Sequence, residues 1–300
     1  MTKLSPIALG LVTWNGERFL RELMECITTQ SFSAFKLYVL DNQSTDKTLS
    51  ILGYYAAIDE RVEVHIDTCR RGFIEAQREI FYRFLKKHEY CAYICDDDVY
   101  ENDFLAFHYS VLNNSNIGLS YSKHAYITET GSVSIDDRCR AKYNGCSFIN
   151  PAKFLFYRNC IPVFFGVYRV KDLVSHMSNF RRVDKFGYNH ENLMLFSLMH
   201  NSKISYDATV RFYYRIKDRK KEYEERGYLK AKGVISQLIW DIRHNIDFSL
   251  VCMSIAKTKN SSSSTYPAYI FLILFLSFFR YTFYVFVKVA ILAFIKRKAK

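Results

Sequence analysis

An α/β fold built on a mostly parallel central sheet is predicted by three observations. Over roughly the first hundred residues, short apolar runs of strand character alternate with segments whose apolar residues recur at helical spacing. Three of the strand runs end in polar clusters, where ligands sit in open α/β sheets. Hydrophobic residues make up 49% of the 300 residues, which excludes global disorder and suffices for a substantial core.

Taken in order, Ile7 to Thr13 reads as a buried strand, and the helix after it places Phe19, Leu20, Leu23, Met24 and Ile27 on one face. A second strand in FKLYVLDNQSTD carries the apolar run Leu37 to Leu40 and ends at Asp41. The next helix begins near STDKTLSILGYY, with Ser44 or Thr45 as its cap and Asp46 in its first turn. VEVHID is a third strand, FIEAQREIFYRFLKK a third helix and YCAYIC a fourth strand, which delivers Asp96, Asp97 and Asp98. This alternation implies parallel βαβ units with right-handed crossovers. Beyond it, IGLSYSKHAYIT and GSVSID form an antiparallel pair around Thr130 and Gly131. Helices are expected around 151–158, 170–178 and 191–200, then a short strand, KISYD, and surface helices within 218–247.

The formal charge of +12 is spread along the chain, which points to anionic surfaces or phosphorylated substrates; no nucleic-acid recognition motif accompanies it. Eight cysteines at irregular spacings, without paired CxxC units, read as free thiols in a reducing compartment. The N-terminal apolar run is too short for a secretory signal. After a linker, KTKNSSSSTYP, the segment Tyr266 to Ile295 is almost wholly apolar but contains Arg280 and Lys288 and is followed by KRKAK. Its uninterrupted stretch before Arg280 reaches about 21 Å as helix, against a hydrocarbon core of roughly 30 Å. A single span would also put the basic tail on the side opposite the main domain, against the positive-inside tendency. A re-entrant hairpin or interfacial helices on a membrane surface fit better.

The strand-end clusters TWNGE (13–17), LDNQSTD (40–46) and CDDD (95–98) would converge on one crevice. In extended backbone Asp96 and Asp98 share a face and Asp97 points away, which makes Asp97 the most replaceable of the three. Two hard oxygen ligands on one face suit Mg2+ or Mn2+ held with a diphosphate. A solvated acidic turn is the bland reading of the same residues. Asp41 reads equally as a turn or cap residue and Glu17 as a first-turn acid, while Arg71, near the entry to the third helix, is either a phosphate contact or simply a solvated arginine. Neither GxGxxG after the first strand nor GxxxxGK[ST] anywhere is present, so dinucleotide and P-loop phosphate cradles are excluded.

Four segments together resemble the family 2 glycosyltransferases, inverting enzymes of the GT-A fold: LVTWNGERFLRELMECITTQSF, LYVLDNQSTDKTLSIL, YICDDDVYENDFL and NHENLMLFSLMHNSKISYDATVRFYYRI. The resemblance covers roughly residues 5–216. It implies a Rossmann-like nucleotide-diphospho-sugar transferase domain at 1–217, with a nucleotide-sugar half (1–110) and an acceptor half (111–217). A helical extension (218–258), a linker (259–265) and a membrane-associating segment (266–300) follow. By resemblance Thr13 and Glu17 line the nucleotide pocket, Asp41 hydrogen-bonds the base, Asp96 contacts the nucleotide sugar and Asp98 binds the metal, Mn2+ or Mg2+. The shared face adds Asp96 as a second metal ligand, and Arg71 and Asp97 are further candidate nucleotide-sugar contacts. Glu191 matches the general base at a helix start; Asn192 stands where the family has a second acid, and Asp184 is the fallback base. Arg215, with Lys217 beyond it, is a candidate phosphate contact, and the His usual after that position is absent. The implied activity is transfer from a nucleotide sugar to a lipid-linked or glycan acceptor in O-antigen, capsule or lipopolysaccharide synthesis, at the cytoplasmic face of the inner membrane. A nucleotidyltransferase with a similar metal–diphosphate site, and a non-catalytic sugar-nucleotide-binding protein, are the competing readings.

Overall fold

The computed structural model describes residues 4–135, 144, 161–177 and 190–216. The expected helix at 151–158, the expected surface helices of 218–247, the linker and the 266–300 segment all lie outside the described residues.

Strand β1 (Ile7–Thr13) is buried along its length except for half-buried Val12, because it sits in the interior of the sheet. It pairs in parallel with β2 (Phe35–Asp41) on one side and with β4 (Tyr90–Ile94) on the other. β3 (Val62–Ile66) lies parallel on the outer side of β2. The chain therefore builds outward through β2 and β3, then returns across β1 to lay down β4. That reversal of strand order opens a crevice at the carboxyl ends of β1, β2 and β4.

Helix α1 (Leu20–Thr28) buries Leu20, Leu23, Met24 and Ile27, the face its spacing predicts. α2 (Thr48–Ile58) and α3 (Phe73–Arg83) complete the crossovers. The cap of α2 differs from expectation. Its first turn is served by Asp46, whose Oδ1 accepts the Thr48 N–H at 3.0 Å, and by Glu17, whose Oε2 accepts the Lys47 N–H at 2.9 Å. Desolvation pushes the Asp46 carboxyl up, but hydrogen bonds from Thr48 and from the Glu17 N–H outweigh it and leave the group below its usual value.

The second half is more strand-rich than its sequence suggests. A two-residue strand β5 (Val99–Tyr100) and helix α4 (Phe104–Asn113) follow the aspartates. β6 (Ile117–Thr128) turns at Gly131 (φ 84°) into β7 (Val133–Ser134), the expected antiparallel hairpin. A short α5 (Ile161–Phe164), β8 (Val167–Arg169), α6 (Val170–Met177) and α7 (His190–Asn201) come next, and the last two fall where helices were expected. The predicted short strand at KISYD is the start of β9 (Lys203–Ile216), 14 residues long and parallel to β6 across three register shifts. The order is β3-β2-β1-β4-β8-β6-β9-β5 with β7 beside β6, and the antiparallel pairings are two-residue contacts, so long parallel ladders dominate. No described helix is long and apolar enough to cross a membrane.

Candidate active site

Hydrogen bonds knit the carboxyl ends of β1, β2 and β4 into one surface. Thr13, the last residue of β1, is 1% exposed and donates its hydroxyl to Asp96 Oδ2 at 2.6 Å. Asn15 then adopts a left-handed conformation (φ 52°), which asparagine tolerates better than most residues. Its N–H donates to Ser44 Oγ at 2.9 Å and its Oδ1 accepts the Thr45 N–H at 2.8 Å. Gly16 donates its N–H to Thr48 Oγ1 at 2.9 Å. A Cβ on Gly16 would stand 2.5 Å from Asp96 Oδ2 and 2.7 Å from Thr13 Oγ1, so only glycine lets the Thr13–Asp96 pair form there.

Asp41 closes β2 and is fully buried. Its Oδ2 accepts the Ser44 N–H at 3.0 Å, the turn role open to it from sequence. Its Oδ1 is buried with no hydrogen-bond partner among the described residues. A buried carboxylate oxygen left this way is costly, and a ligand donor would relieve it.

The loops after β2 and β3 latch to each other. Asn42 exchanges two hydrogen bonds with the Arg71 backbone (2.9 and 2.8 Å), and Gln43 reaches the Asp67 carbonyl. Arg71 donates Nε to buried Asp67 at 2.6 Å, and that bond raises its already high pKa. The guanidinium of Arg70 lies 3.5 Å from the Trp14 ring centroid.

At the end of β4 the geometry corrects the shared-face argument. Residues 96 and 97 form a turn rather than extended backbone, so alternation does not apply. The ligand atoms brought within 4.8 Å of one another belong to Cys95, Asp97 and Asp98; Asp96 is outside that group and bonds Thr13 instead. Asp97 therefore does not point away from Asp98. Two carboxylates and a sulfur at this spacing form a donor set that fits a divalent cation, the hard oxygens suiting Mg2+ or Mn2+. Cys95 joins the group although the sequence pattern singles out only the three acids it directly precedes. Cys26, Cys69, Cys91 and Cys95 are all free thiols.

Arg215 is also corrected. It is 4% exposed, and its guanidinium is engaged by Asp97, Thr128 and Glu22, so it is not presented to a phosphate. Glu191 is the second residue of α7, a helix start as expected. Asp184 and Lys217 lie outside the described residues.

The profile of Glycosyl transferase family 2 matches residues 9–166, more than half of the chain and all of the strand ends just described. The chain belongs to this family. As a family 2 glycosyltransferase it is an enzyme, and the nucleotidyltransferase and non-catalytic readings fall away. Over 158 residues it is 22% identical to TuaG of Bacillus subtilis (strain 168), named as a teichuronic acid biosynthesis glycosyltransferase; the match spans 49% of this chain and 62% of TuaG. Among solved structures, S. aureus TarS 1-349 in complex with UDP superposes with a TM-score of 0.61 at 15% identity, over 92% of this chain and 88% of that one. The mannosyltransferase PcManGT from Pyrobaculum calidifontis, in complex with GDP-Man and Mn2+, gives 0.52 at 11% identity, over 94% and 87%. At these identities the solved structures show the fold, which is GT-A.

Proposed function

We propose that this family 2 glycosyltransferase moves a sugar, with inversion, from a nucleoside diphosphate sugar to a hydroxyl of a lipid-linked or glycan acceptor in bacterial surface-polysaccharide synthesis. The observation that carries this reading is the single crevice at the ends of β1, β2 and β4. It combines the orphaned Asp41 Oδ1, the Thr13–Asp96 pair and the Cys95–Asp97–Asp98 donor set. The UDP and UDP-GlcNAc complexes of TarS and the GDP-Man complex of PcManGT support the donor class.

Asp41 Oδ1 accepts an N–H of the nucleobase and thereby gains the partner it lacks. Asp96, oriented by Thr13, meets the nucleotide sugar, and Glu17 and Arg71 contact it from loops held by their bonds to the Lys47 N–H and to Asp67. Asp97 and Asp98 would hold Mn2+ or Mg2+, with Cys95 alongside. When bound, the cation stabilises negative charge on the departing diphosphate. Glu191 takes the proton of the acceptor hydroxyl as its oxygen attacks the anomeric carbon. The bond to the diphosphate oxygen breaks on the opposite face, which inverts the centre. Residues 266–300, apolar and ending in Lys296, Arg297, Lys298 and Lys300, hold the enzyme peripherally on the cytoplasmic membrane surface.

Full-length protein mixed with a panel of UDP- and GDP-sugars should release nucleoside diphosphate from one of them, with Mn2+ but not with EDTA, and should sediment with anionic vesicles. Release that ignores EDTA would remove the cation, release from no donor would sink the donor reading, and protein left in the supernatant would sink the membrane one.

Gly16→Ala gives a sharper local check. Its Cβ must separate Asp96 from Thr13, so the donor KM should rise roughly tenfold while thermal stability changes little. An unchanged KM would free the Thr13–Asp96 pair from any part in donor binding.

A further inference from the structure

Arg215 reaches both acids of the cation-binding turn at once. Its backbone N–H donates to Asp98 Oδ1 at 2.9 Å, and its Nε donates to the Asp97 carbonyl at 2.6 Å. The rest of the guanidinium is anchored elsewhere. Nη1 donates to the Thr128 carbonyl at 3.1 Å, Nη2 donates to Glu22 Oε2 at 2.6 Å, and the group lies 4.3 Å from the Phe19 ring centroid. One side chain thus joins the turn to helix α1 and to the end of β6. At 4% exposure its charge is tolerable only because these acceptors surround it.

We propose that Arg215 is a positioning residue for the divalent cation, fixing the Asp97–Asp98 turn in its ligating arrangement against α1 and β6. The inference rests on the reading that Asp97 and Asp98 hold that cation. Two physical effects oppose each other here. The positive guanidinium repels a cation, whereas the order it imposes on the ligands favours one. Glu22 decides the balance by neutralising the guanidinium at 2.6 Å, leaving the ordering effect in control. Lysine keeps the charge but offers one nitrogen in place of a planar fork, so it cannot serve the Asp97, Thr128 and Glu22 oxygens together.

The test is a titration of full-length protein with Mn2+ alone, following the electron paramagnetic resonance signal of the free ion, beside thermal melts. Arg215→Lys should weaken Mn2+ binding about tenfold, the scale of losses when groups supporting metal ligands are changed. Glu22→Gln should weaken it in the same direction, and because the Glu22 side chain is 47% exposed this variant keeps the fold if Arg215→Lys does not. Lower melting temperatures with unchanged Mn2+ affinity would make Arg215 merely structural and overturn the proposal. Tighter binding by either variant would overturn it too, since repulsion would then be the controlling effect. Absence of Mn2+ binding by the unsubstituted protein overturns the cation reading and this inference with it. Binding that Arg215→Lys matches overturns the Arg215 assignment alone.

Discussion

Asp98→Asn should lower kcat/KM by roughly 10²–10³-fold, the loss expected when one preorganised charge is taken from a developing anion. The substitution isolates charge from shape. Asparagine retains an Oδ1 acceptor for the Arg215 N–H, so the turn keeps its tie to β9. What disappears is a buried negative charge next to the Asp97 carboxylate, with its attraction for a divalent ion. The Mn2+ concentration needed for half-maximal activity should move upward, and excess Mn2+ should recover part of the rate. Full activity at an unchanged Mn2+ requirement would take Asp98 out of the ligand set.

The same turn shows where the sequence was readable. The βαβ half was legible because β1 and β4 are continuous apolar runs buried on both faces, and α1 presents an apolar stripe of Leu20, Leu23, Met24 and Ile27. Strand ends then located Thr13, Asp41 and the aspartates without any knowledge of the sheet. Short elements were not legible. β5 and β8 have two and three residues, too few for periodicity, and owe their existence to partners at β9, β4 and β6. Which aspartates face one another depended on backbone conformation, and a turn at 96–97 reassigns Asp97 to the cluster. Arg215 could be singled out, but its role could not, because Asp97, Asp98 and Glu22 lie 118, 117 and 193 residues away in the chain. Asp41 was half legible: its turn bond to Ser44 is local, while the orphaned second oxygen is a property of burial.

Glu191→Gln carries the other large effect and separates proton transfer from binding. A positioned general base contributes typically 10²–10⁴-fold, and glutamine preserves size and hydrogen bonding while being unable to take a proton. Transfer should therefore fall by about that range, whereas donor affinity, set in the crevice at β1, β2 and β4, should stay within about twofold. A general base must be deprotonated to accept the hydroxyl proton, so transfer should show an acid limb that rises with pH and then plateaus. In the glutamine variant the acid limb should vanish and the residual rate should be flat. Single-turnover transfer across pH, with donor binding measured on the same preparations, distinguishes this from simple helix capping. A capping glutamate would lower stability when replaced and leave the pH profile intact; unimpaired transfer by the variant would move the base elsewhere, with Asp184 the first residue to test.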